Sequence, residues 1–404
     1  MAYLLRSLLA TIGALGLIIG FLVILTAGKD ISSSRAPALK PSPAQSTQAA
    51  AVGSGVERPA PTTSPSAETA ETNPPATPAI VRNTSEQSVP PPQKPSASAA
   101  EQVKSANTVT RIENPYSFAP LSFDVVNENA RAALVNILCI PQSGSTQAIS
   151  GSGVIIDPRG VVLTNAHVAQ YVLLSKNIGL GLHCYIRVSS PAKPYWVPTV
   201  LYLPPVWVHE HASEISVQRP LGTGEHDYAL LLITDSLDGS PLPSFGAGFP
   251  SMQADIREGI AFLDDQVLAA SYPAEFVGGF VTQNSLYAAS SITTVKQLFT
   301  FDTGTIDMLS LGGIIEAQSG SSGGGVLNAW GRLVGIITTT SEGSTTADRD
   351  LRALSMSYIN RDIKAQSGYD LGEILGGNVV AETIAFTNTT APSLVDILIS
   401  NLKP

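Results

Sequence analysis

The chain has 404 residues, of which 44% are hydrophobic and only 14% charged, with a net charge of −9. That length accommodates one large or two medium domains. An acidic chain without a block of Lys or Arg excludes nucleic acid as the main partner. Two cysteines exclude a disulfide-dense scaffold, and no CxxC or Cys/His cluster points to a metal site.

In chain order, residues 1–30 hold the uncharged run LLATIGALGLIIGFLVILTA from Leu8 to Ala27. As a helix, at roughly 1.5 Å per residue, it matches one bilayer thickness, and it exceeds the roughly 7–15 apolar residues of a cleavable signal. The expectation is an uncleaved N-terminal transmembrane anchor with its N-terminus inside. A cleaved signal ending near Gly28 is the rival. Residues 31–114 are dominated by Pro, Ala, Ser and Thr, as in PSPAQSTQAA and VPPPQKPSASAA. Such a segment buries too little apolar surface to offset its conformational entropy, and reads as a disordered linker.

Residues 115–367 form the expected folded domain. Short β-branched runs alternate with Gly and Pro: LVNILCI, GSGVIID, VVLTNA, CYIRVSS, YALLLIT, QVLAASY, ITTVKQLFTF and GRLVGIITT. Strands at this spacing indicate an all-β sandwich or barrel. Short helical turns are expected at Asn127–Leu134 and after His167. Residues 368–404 read as a tail with one or two helices.

Three local patterns bear on chemistry. GSGVIIDPRGVVLTNAHV is two strands joined by a turn and leads into His167. His226-Asp227-Tyr228-Ala229-Leu230-Leu231 sets a carboxylate at the start of an apolar strand. Gly320-Ser321-Ser322-Gly323-Gly324-Gly325 is a glycine-rich loop before another apolar strand. A serine hydroxyl is a weak nucleophile until an imidazole accepts its proton, and a buried carboxylate holds that imidazole in one tautomer. Glycines permit the backbone dihedrals that turn several N–H groups toward one point. The order His, Asp, Ser therefore suggests acyl transfer, with Ser322 as nucleophile, His167 as base and Asp227 as its orienting carboxylate. The Gly320 and Ser322 amides would form the oxyanion hole. No metal or organic cofactor is expected. A phosphate loop is a poor reading of the glycine run, because no Gly-Lys-Ser/Thr follows it.

These motifs resemble the trypsin-like serine peptidases, and among them the HtrA/Deg-type proteases. TNAHV is similar to that family's histidine motif, HDYALL to its aspartate motif, and GSSGGG-VLNAWGRLVGI to its serine motif with the strand that follows. ASYP, at Ala270–Pro273, resembles the family's G-Y-P turn with Ser271 in place of Gly. The resemblance covers about 230 residues and implies two six-stranded antiparallel β-barrels with the triad in the cleft between them. It also implies polypeptide substrates. With the N-terminal anchor, it implies a single-pass membrane protein whose protease domain lies outside the cytoplasm, periplasmic or extracellular.

Departures accompany the likeness. The His167–Asp227 separation is long, and the extra length is assigned to an insertion, KPYWVPTVLYLPPVWVHEHASEIS. Gly325 replaces a usual Pro. Ser321 stands where zymogens of this class carry Asp. The residues after the protease domain leave no room for a PDZ domain. In this fold the residue six before the serine, here Glu316, sets the floor of the pocket for the substrate side chain preceding the cut (P1), and Thr338–Thr340 set its wall. An acidic floor implies basic P1 residues, whereas a shallow apolar pocket implies small aliphatic ones. Cys139 and Cys184 fall on strands of one barrel and are either small buried hydrophobes or, in an oxidising compartment, a disulfide. A catalytically inactive binding module on the cell surface is the alternative function.

Overall fold

The computed structural model describes residues 104–402 except 106–107, 143–147, 218–221, 244–247, 276–277, 303 and 342. The anchor segment and nearly all of the linker lie outside the described residues. Among the described residues no helix is long and apolar enough to cross a membrane.

The first elements are β1 (Lys104–Ser105) and α1 (Phe123–Ala133), whose N-terminus is capped by the Ser122 side chain. Next come β2 (Leu134–Pro141), β3 (Ile149–Asp157) and β4 (Val161–Thr164). They are followed by α2 (Ala166–Leu174), β5 (Leu182–Val188), β6 (Lys193–Tyr202), α3 (Pro205–His211) and β7 (Ala229–Ser236). Strands β2–β7 close a barrel in the order β2-β3-β4-β7-β6-β5.

The stretch expected to be an insertion is only partly one. Its first ten residues are β6, which pairs with β5 and β7 and completes the barrel. The surplus is α3 and the 3-10 turn Ala212–Glu214 behind it. Pro194 and Pro198 hide the strand from pattern reading, because proline cannot donate to a ladder. The pairing register shifts beside both of them.

The second sheet contains β8 (Gln266–Ser271), β9 (Ala289–Thr294), β10 (Gln297–Thr300) and β11 (Met308–Gly312). It continues with β12 (Gly325–Asn328), β13 (Leu333–Thr340) and β14 (Leu351–Ser355). α4 (Gly278–Asn284) lies between β8 and β9. With β1 this is an eight-stranded sheet in the order β1-β10-β11-β14-β13-β12-β8-β9. The expected second six-stranded closed barrel is thus a curled open sheet among the described residues. The outer edge of β10 pairs with β1, with Lys104 opposite Thr300, and β9 forms the opposite edge of the sheet. A segment expected to be linker is therefore docked. Further along, Ile112 N–H donates to Gly259 O and Tyr116 Oη to Asp255.

Strand alternation divides the core. On β8, Leu268 and Ala270 join the cluster shared with the closed barrel, whereas Val267 and Ala269 face a second cluster with Leu309, Val326 and Ile337. This is the two-residue period of a sheet buried on both faces. Cys139 and Cys184 sit opposite each other on β2 and β5, with Cα atoms 4.0 Å apart, and are joined as a disulfide.

After β14 the chain turns helical: α5 (Met356–Ser367), α6 (Leu371–Gly376), α7 (Val379–Thr389) and α8 (Ala391–Asn401). The Ser355 side chain caps α5, and Gly368 ends it at φ +85°. α7 packs on β6, and α8 packs on α2 and α3 through the buried Leu394 and Leu398. Truncating either leucine to Ala would cost about 2–5 kcal/mol.

Candidate active site

Ladder pairing brings the first two predicted residues together. Thr164, at the end of β4, pairs with Ala229, at the start of β7. His167 lies just past the first of these positions, in the first turn of α2, and Asp227 just before the second. The two are 60 residues apart in sequence, yet His167 Nδ1 is 2.8 Å from Asp227 Oδ2 and His167 N–H donates to Asp227 Oδ1 at 2.9 Å. Asn165 Nδ2 donates to the Asp227 carbonyl at 2.7 Å, fixing the backbone of the loop. With Nδ1–H donating to the carboxylate, Nε2 remains as the acceptor, which is the tautomer a general base needs.

A third donor reaches the carboxylate from the other sheet. Thr338 Oγ1, on β13, donates to Asp227 Oδ2 at 2.7 Å. Thr338 was expected on the wall of the substrate pocket; its hydroxyl serves the carboxylate. The side chain of Thr340, the other expected wall residue, is outside the described residues. The Asp227 side chain is 7% exposed and that of His167 28%. Burial alone would raise the Asp227 carboxyl, but the His167 charge and the hydrogen bonds from His167 and Thr338 outweigh it and hold the group below the usual carboxylate range. For His167, burial would lower the ring; the Asp227 charge and hydrogen bond prevail and raise it above the usual histidine value.

The glycine-rich loop is seated by contacts too close for side chains. Gly323 has φ +84°, and a Cβ there would lie 2.1 Å from Ser152 O and 2.4 Å from Thr164 Oγ1. Gly320 has φ +92°. Both dihedrals belong to glycine. Buried Ser152 on β3 ties this loop to the closed barrel. Its N–H donates to Ser322 O at 2.7 Å, its Oγ donates to Gly320 O at 2.8 Å, and it accepts from Tyr272 N–H at 2.9 Å. On the far side, Ala274 N–H donates to Ser319 O. Arg349 bonds both Glu275 and Ala317 O, linking three loops. The Gly320 and Ser322 N–H groups donate to no acceptor among the described residues. Two such amides in one tight loop can receive an anionic oxygen. Among the described residues no hydrogen bond joins the Ser322 hydroxyl to His167.

Two departures noted in the sequence pair with each other. Ser271 Oγ donates to Ser321 Oγ at 2.9 Å, both fully buried. The position where a zymogen-type Asp would stand therefore holds a neutral hydroxyl pair. Glu316 is fully buried, and neither carboxylate oxygen makes a hydrogen bond of normal geometry. Burial pushes its carboxyl up, offset only in part by the Ser291 hydroxyl, its own backbone amide and the Arg131 charge.

Sequence reading did not single out Ser152, Asn165 or the hydroxyl role of Thr338. The GSG and TNAH motifs contain the first two, but nothing in a motif says which backbone groups a side chain will meet. Among the described residues no group of three metal-ligating side chains is present.

Residues 151–336 match the family profile described as trypsin-like peptidase domain. Among solved structures, the chain is similar to the serine endoprotease from Yersinia pestis, at 18% identity and a TM-score of 0.39, over 64% of this chain and 70% of that one. Curated protein sequences give no significant match. The matched stretch begins within β3 and takes in β4–β7, the His–Asp pair and the glycine-rich loop, and over residues 151–336 the chain is similar to the trypsin-like peptidase family.

Proposed function

We propose that the chain is a membrane-anchored serine endopeptidase acting on exposed polypeptides outside the cytoplasm. The observation that carries this reading is the buried Asp227 carboxylate, which accepts from His167 N–H, His167 Nδ1 and Thr338 Oγ1 and so presents Nε2 as a base. In the reaction Ser322 Oγ attacks the scissile carbonyl while His167 Nε2 takes its proton. The Gly320 and Ser322 amides stabilise the oxyanion, and His167 then protonates the leaving amine. Water repeats the sequence on the acyl-enzyme. The Ser322–His167 contact tightens as substrate binds, as catalytic hydrogen bonds do in many hydrolases. The uncharged run Leu8–Ala27 supplies the anchor.

The second reading, an inactive binding module, is favoured by the one missing link, the Ser322–His167 hydrogen bond. Casein hydrolysis by the full chain separates the two. Cleavage by wild type, absent from Ser322→Ala of unchanged circular dichroism, supports the peptidase. Equal turnover by both proteins rejects Ser322 as the nucleophile, and no turnover by wild type supports the binding module. The anchor is tested by fractionation. The full chain should sediment with membranes and require detergent; recovery in the soluble fraction with an N-terminus near Gly28 would overturn it.

A further inference from the structure

Asp227 is flanked by two residues whose side chains meet a different partner. His226 Nδ1 lies 2.8 Å from Asp362 Oδ2, and Tyr228 Oη donates to that same oxygen at 2.7 Å. Asp362 is on α5, beyond the matched peptidase profile. The same helix holds the loop at a second point, because His226 N–H donates to Tyr358 Oη at 3.0 Å. Tyr358, Asp362 and Gln366 follow at four-residue intervals, and all three reach His226. Residues so spaced share one helix face. The Asp362 side chain is 10% exposed and that of His226 17%, while Tyr228 is fully buried.

His226 has φ +58°, a left-handed backbone unusual for a residue with a Cβ. Such a conformation persists only where the surroundings over-determine it. Here the surroundings are α5. Burial alone would lower the His226 ring, but the hydrogen bond and charge of Asp362, with Glu225 on the same loop and Glu210 on α3, raise it and favour the charged form.

We propose that Asp362 is a positioning residue for the triad: by accepting from both neighbours of Asp227, it fixes the backbone that aims the Asp227 carboxylate at His167. The inference rests on the active-site reading above. A merely structural staple would hold α5 to the barrel and change stability alone. A positioning residue changes turnover and the His167–Asp227 hydrogen bond in protein that remains folded.

The test compares the full chain as wild type, Asp362→Ala and His226→Asn. It reads kcat and KM on a peptide substrate, thermal melting, and the low-field proton resonance of His167 Nδ1–H. Asp362→Ala should lose about tenfold or more in kcat with KM within about twofold, and its low-field resonance should shift or broaden. His226→Asn should stay within about threefold of wild type, because Asn tolerates a left-handed backbone and its amide donates to the carboxylate. If Asp362→Ala does not fold, Asp362→Asn, which keeps the size and one acceptor, carries the same comparison with a smaller loss. An Asp362 variant that melts early yet keeps wild-type kcat and an unchanged resonance overturns the inference. Wild type without turnover would instead sink the peptidase reading, and the resonance alone would then decide the role of Asp362.

Discussion

The two sheets place the candidate catalytic groups by different means. The closed barrel holds the His167–Asp227 pair through a single ladder: β4 beside β7 sets the two residues at adjacent strand ends, and any sequence that forms that ladder delivers them together. The open sheet carries the glycine-rich loop and Thr338, and no ladder joins it to the closed barrel. Individual hydrogen bonds connect the two: Thr338 of the open sheet donates to Asp227, and Ser152 of the closed barrel donates to the Gly320 and Ser322 carbonyls of the loop. The His167–Asp227 pair is thus set within one barrel, whereas the complete site needs both sheets, held by the shared core and by these bonds. Single substitutions should separate the two.

The largest effects belong to the reacting groups themselves. Ser322→Ala and His167→Ala should each lower kcat by about 10⁴–10⁶-fold with unchanged circular dichroism. Asp227→Asn should cost about 10⁴-fold by favouring the wrong tautomer. Within the closed-barrel pair, pH gives a sharper reading. On the proposed mechanism His167 is a base only when neutral, and its ring is raised, so activity should appear as pH rises through a midpoint above the ordinary 6.5. Removing the Asp227 charge leaves burial, which lowers the ring. The residual activity of Asp227→Asn should therefore have its midpoint below 6.5. Equal midpoints in the two proteins would contradict the electrostatic account.

Bonds between the sheets come next. Thr338→Val removes one donor to a buried carboxylate and should cost about tenfold to a hundredfold in kcat. Ser152→Ala removes the tether to the Gly320 carbonyl and the partner of Tyr272 N–H, and should cost about tenfold. Both losses should fall on kcat, because the bonds removed orient the Asp227 carboxylate and the glycine-rich loop. Kinetics with KM raised and kcat intact would break the comparison between ladder and tether.

Specificity is a smaller effect and depends on Glu316. A Lys or Arg side chain at P1 would give its buried oxygens a directly paired charge. A peptide library should then show a basic preference that Glu316→Gln reduces by about tenfold. A Val, Ala or Leu preference indifferent to that change rejects the acidic floor. The smallest effect on turnover is expected at the cysteines. Replacing Cys139 and Cys184 by Ala opens a link spanning 45 residues and should lower stability by about 2–4 kcal/mol while leaving kcat unchanged.

Much of this site was legible in the sequence because its residues sit beside strands with plain signals. TNAH ends a β-branched run, HDYALL opens one, and the glycine run precedes another. What escaped did so for physical reasons. β6 was hidden by Pro194 and Pro198, which carry no ladder donor. The edge of the second sheet at β10 is paired by Lys104–Ser105, two residues from a stretch whose composition gives no strand signal. Thr338 and Asp362 contribute through bonds spanning 111 and 136 residues, which no local pattern encodes.

Fluorophosphonate labelling of the full chain tests the central claim most directly, because the probe reports nucleophile, base and oxyanion hole together. The account predicts one stoichiometric adduct on Ser322 in wild type, none in Ser322→Ala, and labelling at least about a thousandfold slower in His167→Ala. Labelling that persists in Ser322→Ala, or a wild type that stays unlabelled while folded, would contradict it.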